Sequence, residues 1–126
     1  MRYIVPAVLL LLSGIHALPL MGVLGSSRLS SLYGIPIDEP NLEILMRHRA
    51  VLFGLLAAFL AYAALRPDLH RLAMIAAALS VGSFVALTGV VGGANAALVT
   101  VCRVDLAALG LLGVAAVAHL LWPEVR

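Results

Sequence analysis

Lysine is absent from this 126-residue chain, cysteine occurs once, and only 11% of the residues are charged. Each shortage excludes something. A soluble domain carries roughly one-quarter charged residues, so a surface facing water on every side is excluded. The eight basic residues are all arginine and lie scattered, and the formal net charge is only +2. No basic block exists for a phosphate backbone, so nucleic acid is not an expected partner. The single cysteine, Cys102, rules out an internal disulfide and reads as a small core residue in an apolar stretch. There is no HxxxH or HExxH pair, no Gly-rich phosphate loop, no nucleophile–base spacing and no paired catalytic carboxylates. No catalytic residue, metal ligand or cofactor is therefore assigned.

What the chain has instead is apolar length: 63% of it is hydrophobic. Uncharged runs cover Tyr3 to Ser27, Ala50 to Leu65, Leu72 to Cys102 and Leu106 to Pro123, the third broken near Gly92-Gly93-Ala94-Asn95. A helix needs about 20 residues to cross the hydrocarbon core. The runs predict an all-α fold with spans near residues 3–24, 44–65, 72–92 and 101–122, forming an up-down four-transmembrane-helix bundle. Residues 1–126 read as a single integral membrane domain.

The connections suit that arrangement. Spans two and three meet through Arg66-Pro67-Asp68-Leu69-His70-Arg71, and spans three and four through the C-capping Gly92-Gly93 with Asn95 nearby. The long connection, residues 25–41, either merely connects, the favoured reading, or folds over the bundle end as a lid. In it Ser26 or Ser27 is suited to cap a short interfacial helix, and Pro40 with Asn41 marks the start of the second span. The N-terminus imitates a signal peptide, but a cut after Ala17 puts Ile15 where a small residue belongs, so an uncleaved first span is expected. Pro19 should kink that span, whereas Pro6 lies close enough to its start to be tolerated. Arg2, Arg66, Arg71 and Arg126 fall on one side of the membrane, and Arg28, Arg47, Arg49 and Arg103 on the other. That count is tied; the acidic residues of the long loop and Glu43 beside Arg47 tip the expectation towards cytoplasmic termini.

Charges in such a chain need a reason. Glu43, Arg47, His48, Arg49, Arg103 and Asp105 belong to the starts of spans two and four, at one membrane face. Glu43 precedes Arg47 by four residues, the favourable order for a helical ion pair. Arg47, Ala50, Gly54, Ala57, Ala58 and Ala61 share a small-residue stripe of the kind that lets helices approach closely in lipid. Arg47 is therefore expected inside the bundle, paired with Asp105, while Arg49 points about 200° away. Twenty residues counted back from Leu65 and Trp122 end at Met46 and Arg103, near the hydrocarbon boundary. The alternative is thus a set of arginine anchors snorkelling to the headgroups.

His16 is the ionisable side chain within the first span. It is either satisfied by a backbone carbonyl or Ser13, or serves as a ligand or proton relay. His70 and His119 belong near the opposite face. Ser80, Ser83 and Leu87 share a face of the third span, suited to helix packing or to a ligand.

The stretch Leu32-Tyr33-Gly34-Ile35-Pro36, then Pro40-Asn41-Leu42, then Leu45-Met46-Arg47-His48-Arg49-Ala50-Val51-Leu52-Phe53-Gly54 resembles a family of small bacterial four-helix integral membrane proteins. Asn95-Ala96-Ala97-Leu98 and Val104-Asp105 extend the likeness over nearly the whole chain. It implies a multi-pass protein of the bacterial cytoplasmic (inner) membrane and no particular functional residues. Some members carry the label phosphopantetheine adenylyltransferase, a soluble α/β enzyme with a His-x-Gly-His motif; this chain has neither that motif nor that pattern.

Three expectations follow. The first is a pocket of Arg47, His48 and Asp105, with Glu43, Arg49, Arg103 and His16 around it, that binds or moves an anionic or polar small molecule or lipid headgroup. The second is an accessory subunit whose Ala/Gly stripes, with Gly54, Gly110 and Gly113, contact a second copy or another membrane protein. The third is an intramembrane enzyme acting on a lipid or quinone through His16 or His48. Membrane lipids are expected partners in each case.

Overall fold

Prolines set several of the element boundaries. Pro6 lies in the first turn of α1 (Ile4–Ala17), where its missing N–H has no helical partner to lose. Pro19 ends α1, and the chain continues as a tighter 3-10 coil over Leu18–Leu24. Pro40 is the first residue of α3 (Pro40–Ala64), and Pro67 opens the 3-10 turn Pro67–Leu69 that leads into α4 (His70–Val91). Two further helices complete the chain: the short α2 (Ser26–Tyr33) and α5 (Ala96–Leu121). The structure, a computed structural model, describes residues 3–122, and among these there is no strand.

Four rods are long and apolar enough to cross a membrane: Ile4–Leu24, Pro40–Ala64, Pro67–Val91 and Ala96–Leu121. The second and fourth begin about a turn or more before the apolar stretch does, and there polar residues capture the first N–H groups. The Glu39 carboxylate accepts from the backbone N–H of Asn41 (3.0 Å) and Leu42 (2.8 Å) at the start of α3. The Asn95 side-chain oxygen accepts from the Leu98 N–H (2.9 Å) at the start of α5. Ser26 and Ser27 do not cap α2; Gly25 holds that position and no side chain bonds there.

The first and second rods run antiparallel. Arg47 meets the Val23 carbonyl at one end, and the Ser13 hydroxyl donates to the Ala57 carbonyl (2.8 Å) midway. Short links then bring α4 and α5 alongside. The core is built from small residues where helices cross: Ala57, Ala63 and Ala64 of α3, Ala73 and Ala77 of α4, Ala108 and Ala115 of α5. Around them pack Leu9 and Leu12 of α1, Leu60, Val81 and Leu112. The larger aliphatics Leu10, Leu11, Leu52, Leu55, Leu79 and Leu120 face outwards. That distribution suits lipid: apolar tails solvate the outer leucines, and small residues let backbones approach.

Residues 25–41 do more than connect. α2 lies across the bundle end, with Leu29, Tyr33 and Ile37 buried against Leu42, Met46 and Leu98. Gly34 ends α2 in a left-handed conformation (φ 64°) that a side chain adopts only at a cost. The Asn95 amide nitrogen donates to the carbonyls of Tyr33 (2.8 Å) and Gly34 (3.2 Å), tying α2 to the first turn of α5. One side chain thus caps a helix and latches the lid. His70, at the first residue of α4, is buried, its Nε2 3.5 Å from the Ala64 carbonyl.

Hydrogen bonds from Asn41 and Leu42 hold the Glu39 carboxyl below its ordinary range. A depressed carboxylate contributes stability that is present above its unfolded-state pKa and lost as pH falls through the folded value. Glu39→Ala should therefore melt below the wild type at neutral pH, with the gap narrowing on acidification below the ordinary glutamate range. Thermal unfolding in detergent, followed by circular dichroism across pH, measures that gap.

Candidate functional site

Under α2 lies a cavity of about 250 Å³, walled mainly by apolar side chains from every helix. Three of its lining residues carry ionisable side chains typical of binding sites: His16 from α1, Arg49 from α3 and Asp105 from α5. Tyr33 of α2, Phe53 of α3, and Ser80 and Phe84 of α4 complete its chemically distinct wall.

Arg49 is the centrepiece. Its guanidinium lies 4.7 Å from the centroid of the Phe53 ring, 5.2 Å from that of Tyr33 and 5.9 Å from that of Phe84. One of its N–H groups donates to the Tyr33 hydroxyl at 2.8 Å. The chain has only three phenylalanines and three tyrosines; two of the former and one of the latter surround this cation. Ring faces stabilise a cation that has left water, each by about 0.5–2 kcal/mol.

Asp105 is 8% exposed and lines the same cavity within electrostatic reach of Arg49. The two do not touch. Among the described residues, ion pairs join Arg47 to Glu43 (3.3 Å) and Arg66 to Asp68 (3.2 Å).

His16 is buried and fully engaged. Its Nδ1 lies 2.8 Å from the Leu12 carbonyl, which only accepts, so Nδ1 carries the hydrogen. In the neutral ring Nε2 is then an acceptor, facing the Ser80 hydroxyl at 3.1 Å. The order carbonyl–imidazole–hydroxyl fixes the tautomer and orients Ser80 towards the ring. A backbone carbonyl does satisfy His16, but its second partner is Ser80; Ser13 bonds to α3 instead.

The residues read from sequence therefore divide. His16, Arg49 and Asp105 come together. Arg47, His48 and Arg103 are exposed, and Glu43 is engaged with Arg47 outside the cavity. The expected Arg47–Asp105 pair is not formed. Arg47 donates its Nε–H to the Val23 carbonyl (3.0 Å), covering the open carbonyl end of the 3-10 coil, and bonds to Glu43.

The inward face of α3 explains the reversal: it runs through Ala50, Ala57, Leu60 and Ala64 with Phe53 partly buried beside them, so it keeps Ala50 and Ala57 of the small-residue stripe but is turned away from Arg47 and the exposed Ala58. Arg49 lies roughly 60° from the centre of that face and Arg47 roughly 100° from it, on the other side. Tyr33, Phe53 and Phe84 escaped the sequence reading because their sites are far apart along the chain. The scarcity of aromatic residues was the available signal.

Among the described residues no cluster of three His, Cys, Asp or Glu side chains is placed to hold a metal. Comparisons with protein-family models, curated proteins and solved structures return no match.

Tyr33→Phe removes one hydrogen bond to a charged donor while keeping the ring. It should destabilise the fold by roughly 1.5–3 kcal/mol, measured by reversible unfolding in mixed SDS–detergent micelles. Tyr62→Phe, which loses the exposed bond from Arg66, should cost much less.

Proposed function

We propose that this chain is a small integral protein of the bacterial cytoplasmic membrane, with both termini cytoplasmic, that binds or moves an anionic or polar small molecule or a lipid headgroup in the cavity at the start of α3 and α5. We place it with the small bacterial four-helix membrane proteins that its Leu45–Gly54 run resembles. The observation that carries the reading is the pairing of Arg49 with an aromatic surround inside an apolar cavity. An anchoring arginine extends its head to the headgroups, as the exposed position of Arg103 allows. Arg49 instead turns inwards, and its planar fork suits carboxylate or phosphate.

Native mass spectrometry of protein purified in mild detergent tests this. Wild type and Arg47→Gln should retain a co-purified small molecule or lipid, and Arg49→Gln should lose it. A bare wild-type spectrum, or an adduct indifferent to Arg49, would overturn the proposal.

A second reading, an accessory subunit, has its own support. Gly110 and Gly113 lie on the exposed face of α5, and a Cβ at either position would meet nothing within 4 Å. Each glycine costs a helix interior about 1 kcal/mol relative to alanine, and no packing among the described residues accounts for it. Gly54 is different: a Cβ there would come within 2.7 Å of Leu20, so its smallness seats the 3-10 coil against α3. If α5 is an association surface, Gly110→Leu and Gly113→Leu should leave the monomer folded but dissociate any complex on native gels. An unchanged oligomer and partner set would count against it.

A further inference from the structure

We infer that the cavity takes a zwitterion: a small apolar body whose polar end carries an anionic group for Arg49 and an ammonium for Asp105. This deepens the proposed binding role and rests on it.

The first observation is a pair of opposite charges that line one small cavity without meeting. Two other pairs of opposite charges close on each other, at 3.3 Å for Arg47–Glu43 and 3.2 Å for Arg66–Asp68. Arg49 and Asp105 share a wall of the cavity yet form no such contact. A gap between opposite charges in apolar surroundings is filled best by a group that presents the complementary charge to each.

The second observation is the state of each side chain. Asp105 is more than nine-tenths buried, and among the described residues nothing donates a hydrogen bond to it. Among the described residues no fully sealed side-chain nitrogen or oxygen lacks a partner, so the Asp105 carboxylate oxygens are not sealed by packed side chains, and Asp105 lines the cavity. A carboxylate so placed is short of donors, and an ammonium brings three. Arg49 has five N–H donors, one of them given to the Tyr33 hydroxyl. Aromatic faces hold its plane, which leaves donor edges to grip an anion with two parallel hydrogen bonds.

Charge balance then separates the ligand classes. Arg49 and Asp105 together are neutral. A plain anion satisfies Arg49 but leaves Asp105 unpaired and opposed by a like charge; a plain cation leaves Arg49 in the same position. A zwitterion neutralises each side chain and keeps the loaded cavity neutral, which matters most where water is scarce. His16 and Ser80 bond to each other and supply no competing charge in the neutral ring. The remaining wall, including Ile15, Leu32, Val81 and Val101, suits an aliphatic body.

Two sources offer this chemistry: a free amino acid with an apolar side chain, and the headgroup of an aminophospholipid. Binding to the full-length protein in detergent should be measured with three probes that share one aliphatic body: leucine, isocaproate, which lacks the ammonium, and isoamylamine, which lacks the carboxylate. Retention of phosphatidylethanolamine and of phosphatidylglycerol should be compared by native mass spectrometry. For a free amino acid, leucine should bind at least about tenfold more tightly than either truncated probe. Arg49→Gln and Asp105→Asn should each weaken it about tenfold or more. For a lipid source, phosphatidylethanolamine should be retained in preference to phosphatidylglycerol, dependent on both side chains, with leucine silent.

Isocaproate binding as well as leucine, or phosphatidylglycerol retained through Arg49 alone, would overturn the zwitterion while leaving an anion site standing. Tighter isocaproate binding in Asp105→Asn would say the same. A wild-type protein that holds none of the probes would overturn both. The probe series on unaltered protein decides the matter even where a variant fails to fold.

Discussion

A guanidinium inside an apolar bundle must be solvated by the protein itself, and one whole end of this molecule is arranged around how Arg49 is held. The wall around it is mainly apolar, and arginine does not shed its proton. Rings from α2, α3 and α4 supply the compensation, with one hydroxyl from Tyr33. Because Tyr33 belongs to α2, the short helix must lie across the bundle end for the cation to be tolerated. Because α2 must lie there, Gly34 turns the chain and Asn95 latches it. Lid, cavity and cation are one structural unit.

The helices beneath obey a different constraint. In lipid there is no hydrophobic gain from joining two leucine-covered surfaces, so association depends on close backbone approach. Alanines line the crossings, and leucines are left outside. This leaves little volume for polar groups within the bundle. The cavity exists where the packing of small residues gives way, at the end where α1 loosens into the 3-10 coil after Pro19. A single proline thus bears on the site indirectly, by changing the path of the chain that forms its wall.

Two arginines separated by one residue have opposite duties. Arg47 satisfies a carbonyl of the 3-10 coil and a carboxylate on its own helix. Arg49 enters the cavity. Helix geometry dictates that residues two apart point in widely different directions, so a run such as Arg47-His48-Arg49 cannot act as one cluster. His48, between them, is exposed.

The all-α class, the four spans and the two short turns were legible in the sequence, because uncharged runs of membrane length and the punctuation by proline, glycine and asparagine are local properties. That the start of the second and fourth spans would be the charged end was legible for the same reason. Which of those charges turn inwards was not. Inward direction depends on the rotation of α3 about its axis, and residues distant in sequence fix that rotation: Leu60 is buried in the core with Ala50 and Ala57, while Ala58 of the same Ala/Gly stripe is left exposed. The lid was legible only as the less favoured alternative: residues 25–41 hold a short amphipathic helix, but its docking depends on Asn95, sixty-one residues beyond Gly34. Local chemistry determined what crosses the membrane and where it turns. Long-range packing alone decided that His16, Arg49 and Asp105 share a cavity.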